Sequence, residues 1–128
     1  RGHSELDRFL QDAEAIGIKV DLSGELPRQE ELRRVMILAM RECLTNSVRH
    51  AGATTIHITA ENKGDSVSMK ITNDGRAPET EVVPKGGLHN LYRHILDLGG
   101  TMKIQSKPVF VLTVVLPAIK EVTEWNRF

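Results

Sequence analysis

The sequence has a single cysteine, Cys43, so no disulfide can close within the chain and no cysteine cluster can hold zinc. A reducing compartment is the simpler expectation. There is no excess charge of either sign: 17 Lys and Arg stand against 17 Asp and Glu, for a formal net charge of zero. That argues against a nucleic-acid binder working by bulk phosphate attraction, although a local patch can hide in the balance. The longest apolar run, Val109 to Leu116, is broken by Thr113 and is far too short to cross a bilayer. No signal-peptide pattern opens the chain, and no repeat or low-complexity tract occurs along it. Arg1-Gly2-His3 reads as a cut edge, which makes the chain the expected fragment of a longer protein. What remains is 128 residues, 40% hydrophobic and 27% charged, the make-up of one ordinary globular domain. A domain of this size buries roughly two-thirds of its unfolded surface and needs no staple.

Periodicity divides the chain into elements. Ser4 caps a helix carrying Leu6, Phe9, Leu10, Ala13 and Ile16, which Gly17 stops. Ile18 to Leu22 alternates as a half-buried strand. From Gln29 to His50 there is no Gly or Pro, and Leu32, Met36, Met40, Cys43, Leu44 and Val48 make the stripe of a long central helix. Thr55 to Ala60 and Ser66 to Thr72 alternate as strands around the turn Asn62-Lys63-Gly64-Asp65. Arg76 to Gly87, with two prolines and two glycines, reads as a mobile loop. Leu88 to Leu98 is helical and ends at Gly99-Gly100; Thr101 to Ser106 and Val109 to Leu116 are two more strands. The tail, with Val122 and Trp125, shows no clear element. This order predicts an α+β two-layer sandwich, a mixed and mostly antiparallel sheet covered on one face by helices.

Three residue sets carry candidate chemistry. On the long helix Glu42, Thr45, Asn46, Arg49 and His50 fall within an arc of roughly 140° at about 100° per residue. A solvated polar face explains Glu, Arg and His, but asparagine in mid-helix competes for the backbone, which singles out Asn46. Asn73-Asp74-Gly75 directly after a strand is, taken alone, a tight turn. Lys85-Gly86-Gly87-Leu88 before a helix is either a linker or a place where bare amides and a helix N-terminus meet a phosphate. Cys43 on the apolar stripe reads as a buried inert thiol, and His57, between Ile56 and Ile58, as solvent-facing. His89 and His94 flank the last set and read as surface residues.

In combination, the strings Arg41-Glu42-Cys43-Leu44-Thr45-Asn46-Ser47-Val48-Arg49-His50-Ala51 and Gly87-Leu88-His89-Asn90-Leu91-Tyr92-Arg93, with Asn73-Asp74-Gly75 between them, resemble the ATP-binding domain shared by DNA gyrase, a heat-shock chaperone, sensor histidine kinases and mismatch-repair ATPases. The resemblance runs from about Leu6 to Pro117 and is strongest to histidine kinases of the nitrate-sensor and desaturase-sensor type. It implies the Bergerat-type ATP-binding fold. It implies that Asn46 coordinates Mg²⁺ together with the triphosphate, and that Glu42, one turn earlier, is the base or base-orienting group for phosphoryl transfer. Arg49 or His50 then faces phosphate oxygens, and Gly86, Gly87 and Leu88 belong to the second glycine box. Lys85 replaces that box's first glycine and either reaches the phosphates or points to solvent. Asn73 stands where the family carries the aspartate that binds the adenine amino group; Asp74 takes part only if the turn rotates, and Gly75 lets the backbone pass under the base. The Gly-Thr that many relatives carry before the last strand is Val109-Phe110 here.

The resemblance divides the chain into 1–16, the end of a linker helix from a dimerisation domain; 17–118, the catalytic domain; and 119–128, a tail. It implies the cofactors ATP and Mg²⁺, and a γ-phosphoryl passed to a histidine on a separate dimerisation and phosphoacceptor domain of the same protein. The further partner is a response regulator, with no nucleic acid and no membrane contact by this domain. The expected setting is a cytoplasmic domain of a membrane-anchored sensor. His3 lacks the acidic surroundings of an acceptor, so the fragment alone should bind nucleotide without autophosphorylation. Two rivals share the fold: a serine kinase of the anti-sigma-factor type, and a degenerate regulatory module without catalysis, which Asn73 and Lys85 favour and Glu42 with Asn46 oppose.

Overall fold

A computed structural model describes residues 4–79, 82 and 84–118, and of His50 and Ala51 the backbone only. The tail with Val122 and Trp125, and Thr80, Glu81 and Val83 of the loop, lie outside the described residues.

Helix α1 spans Glu5–Ala15, and Ser4 caps it by accepting from the Asp7 amide at 3.1 Å. It buries Phe9 and Ala13. Strand β1 is Lys19–Ser23 and helix α2 is Glu30–Asn46. The sequence predicts one regular helix through His50. The structure corrects this: after Asn46 the chain widens into a π-helical turn over Ser47–Ala51. The cause is Gly52, which takes a left-handed conformation (φ 63°) and returns its amide to the Ser47 carbonyl, where the Ala53 amide also bonds.

Strands β2 (Thr55–Asn62) and β3 (Ser66–Asn73), helix α3 (Gly87–Asp97), and strands β4 (Thr101–Gln105) and β5 (Val111–Pro117) complete the domain. The last strand begins at Val111 rather than Val109: Val109 is exposed, and Phe110 turns into the core while its carbonyl accepts from the Thr72 hydroxyl at 2.7 Å.

The five-stranded sheet runs in the order β1-β2-β3-β5-β4. β1 pairs parallel to β2, which α2 makes possible by carrying the chain back; every other pair is antiparallel. Ile56 and Ile58, Met69 and Ile71, and Leu112 and Val114 point to one face. There they meet Met36, Met40 and Cys43 of α2, Leu91 and Ile95 of α3, and Phe9 of α1 in a single core. The other face carries the cross-strand row Thr59, Lys70, Thr113 and Lys103. This is the expected two-layer α+β sandwich. Among the described residues no helix is long and apolar enough to cross a membrane.

Candidate functional site

The three residue sets lie far apart in sequence, and the structure joins them around the last turn of α2. Glu42 and Asn46, one turn apart, are both half-buried. The Glu42 carboxyl group lies over Gly87, so close that a Cβ on Gly87 would fall on it. Gly87 is the first residue of α3, and Gly86 (φ 58°, ψ −126°) precedes it without a side-chain cap. The opening amides of α3 therefore form an uncapped helix N-terminus, the kind of surface that takes an anion, with a carboxylate already beside it. Lys85 is exposed next to it. Leu88 is buried, 6% exposed, and serves the site by seating α3 in the core.

The strand-end turn reaches α2 through Ser47, the residue after Asn46. The Asn73 side-chain amide donates to Ser47 Oγ at 3.1 Å, and its Oδ1 accepts from the Gly75 amide at 2.8 Å. Ser47 is 2% exposed, the buried polar residue of the described part. Asp74 faces elsewhere. Its carboxylate accepts from the Thr54 amide at 2.8 Å, the Thr54 hydroxyl at 2.7 Å and the Thr55 amide at 3.0 Å. The Thr55 amide, then the hydroxyl and amide of Thr54, hold its pKa down at about 2. Asp74 is thus a clamp between the end of β3 and the start of β2.

The π turn lifts Arg49 off the line a continuous helix would draw, and Arg49 is exposed; the His50 side chain lies outside the described residues. Thr45 returns its hydroxyl to the Arg41 carbonyl at 3.1 Å, an exposed bond within the helix. Arg41 itself pairs with Asp12 at 2.9 Å and lies over the Phe9 ring, which ties α2 to α1. Cys43 is buried, and burial followed by the Glu42 charge pushes its pKa up to about 12, an inert thiol as expected. His57 is exposed and pairs with Asp21 at 3.2 Å. A cleft of about 430 Å³ is lined by Val82, Pro84, His89, Tyr92, Met102 and Ile104, and the Val82 amide donates to Ser106 Oγ at 2.9 Å. Its lining includes neither Asn46 nor Asn73.

Reading the sequence alone misses Ser47 and Thr54. Ser47 continues the spacing of Met40, Cys43 and Leu44 and so falls on the buried side of the helix, which was a legible signal. Nothing in the sequence marks Thr54. Among the described residues no three His, Cys, Asp or Glu converge as a metal cluster. The donor set, one neutral amide and one carboxylate beside an uncapped helix start, fits a hard cation that arrives with phosphates and keeps several waters.

Residues 31–120 match the model of the histidine kinase-, DNA gyrase B-, and HSP90-like ATPase family, and the chain belongs to that family. Within it the chain is similar to two sensor histidine kinases of Bacillus subtilis (strain 168). It is 25% identical to sensor histidine kinase YvfT over 89 residues, 70% of this chain and 24% of that protein. It is 32% identical to sensor histidine kinase LnrJ over 76 residues, 59% of this chain and 19% of that protein. The aligned region is thus a quarter or less of each relative's length. The fold is similar to the ATP binding domain of PrrB from Mycobacterium tuberculosis, with TM-score 0.66, 24% identity, and 91% of this chain and 93% of that chain covered. It is also similar to the Acinetobacter baumannii histidine kinase AdeS, with TM-score 0.70, 19% identity, and 91% and 64% covered.

Proposed function

We propose that this domain binds Mg-ATP and presents its γ-phosphoryl group to a histidine on a separate domain of the same protein, for onward transfer to a response regulator. The observation that supports this most is the convergence on α2: Asn46 at its end, Glu42 one turn earlier with its carboxylate over Gly87, and the uncapped start of α3 beside them. Asn46 offers its amide oxygen to the metal, a neutral ligand that leaves the metal's charge for the phosphates. The amides of Gly87 and Leu88 face the phosphates, with Lys85 adding a point charge. Asn73 faces the base with an amide rather than the carboxylate usual in the family. Glu42, within reach of the same helix start, takes or orients the proton of the accepting group, a role worth typically 10²–10⁴-fold in rate.

Calorimetric titration of the domain with ATP, with and without Mg²⁺, tests the reading. Binding is expected to depend on Mg²⁺ and to weaken in Asn46→Ala. A folded Asn46→Ala domain with unchanged Mg-ATP affinity would remove its central residue.

A further inference from the structure

The Asn73 side chain has two lone pairs on its oxygen and two hydrogens on its nitrogen. The Gly75 amide takes one lone pair at 2.8 Å, and Ser47 Oγ takes one hydrogen at 3.1 Å. A backbone amide can only donate, so Gly75 fixes the oxygen end toward the turn; Ser47 then holds the nitrogen end toward the α2 end. One acceptor and one donor are left. A carboxylate at this position would leave acceptors only. Purines differ on the corresponding edge: a 6-amino group donates, whereas a 6-oxo group accepts. A carboxylate attracts the first and repels the second, while the tethered amide can satisfy either.

We propose that Ser47 is a positioning residue for base selectivity: through its bond to Asn73 it sets the donor–acceptor pair that reads the purine 6-position, and the site consequently takes 6-oxo as well as 6-amino purine triphosphates. This rests on the reading of the site as a nucleotide site with Asn73 at the base. Ser47 is itself 2% exposed and acts through Asn73 without touching the base. Without its hydroxyl the amide loses one of its two tethers and turns its NH₂ outward, which favours an accepting 6-oxo group.

The test measures Mg-ATP and Mg-inosine triphosphate affinities of the domain by calorimetry, two ligands with the same sugar and phosphates that differ at the 6-position and in the proton on the adjoining N1. In the native domain the two affinities are expected within about tenfold, the scale of one net hydrogen bond. Ser47→Ala is expected to lower the ATP-to-inosine-triphosphate ratio about two- to tenfold, and Ser47→Thr, which keeps the hydroxyl, to restore it. A purely structural role would weaken both ligands alike and leave the ratio in place. Asn73→Asp, which removes the donor, is expected to raise the ratio, and it keeps the test decisive if Ser47→Ala fails to fold. An unchanged ratio in folded Ser47→Ala or in Asn73→Asp, or a native preference for ATP beyond about a hundredfold, overturns the proposal. Failure of the native domain to bind either nucleotide in the presence of Mg²⁺ would instead overturn the nucleotide reading, and this inference with it.

Discussion

Replacing Gly87 with alanine separates stability from site geometry. Gly87 has no positive φ, so its backbone accepts alanine. The new Cβ, however, falls on the carboxyl group of Glu42. That group is the end of a flexible side chain, so it moves rather than the backbone. Two effects then oppose each other. Alanine in a helix gains up to about 1 kcal/mol over glycine. A carboxylate leaving a helix N-terminus loses about 0.3–1 kcal/mol. The net change in stability is expected within about 1 kcal/mol, a melting shift of no more than about 4 °C for a domain of this size. The displaced Glu42 no longer lies at the start of α3, so on the proposed function phosphoryl transfer by the full-length protein should fall even though the domain stays folded. A double-mutant cycle isolates the contact. In a Glu42→Ala background the carboxyl group that meets the Cβ is gone, and Gly87→Ala should stabilise by up to about 1 kcal/mol. Urea unfolding of the four proteins gives the coupling. Additivity within about 0.3–0.5 kcal/mol would show that the Glu42 carboxylate does not occupy the space over Gly87.

Further outcomes follow from the same geometry. Asp74 has a lowered pKa, so its contribution to stability is complete above its ordinary value of 3.8 and is lost as pH falls toward about 2; Asp74→Asn should flatten the acid limb of the melting-temperature profile in that window, and an unaltered limb would place the acid sensitivity elsewhere. Cys43, with its thiol pushed up to about 12 and 1% exposed, should resist maleimide in the folded domain and react on unfolding in urea; rapid labelling of the native protein would contradict its burial.

Much of this architecture was readable because its periodicities are uninterrupted. The stripe from Leu32 to Leu44 and the alternation of Ile56, Ile58 and of Val67, Met69, Ile71 each fix an element and its buried face. The π turn escaped because it depends on Gly52 closing back on Ser47, a choice of hydrogen-bond partner that no spacing encodes. In the site, the residue types of Glu42, Asn46 and Gly87 were legible, but the contact between Glu42 and Gly87 spans two helices and becomes visible only once α2 and α3 pack. Asp74 was ambiguous for a different reason. Adjacent residues at a turn can face opposite ways, and the three Thr54 and Thr55 donors that decide its direction lie far away in sequence, at the entry to β2.

That clamp also dictates the order of residues in the turn. Three donors converge on position 74, and only a carboxylate can accept from all of them with both oxygens. An asparagine there could keep the two amide bonds through its oxygen and turn its NH₂ to the Thr54 hydroxyl, which can also accept, but the charge that strengthens all three bonds would be gone, so Asn-Asp and Asp-Asn are not interchangeable spellings of one turn. Because its donors hold the Asp74 pKa down at about 2, the turn carries its negative charge throughout the neutral and mildly acidic range. A second carboxylate at position 73 would stand beside that charge and be repelled by it. The neutral amide of Asn73 avoids the conflict: the sheet keeps its anionic anchor, and the neighbouring position stays free of charge.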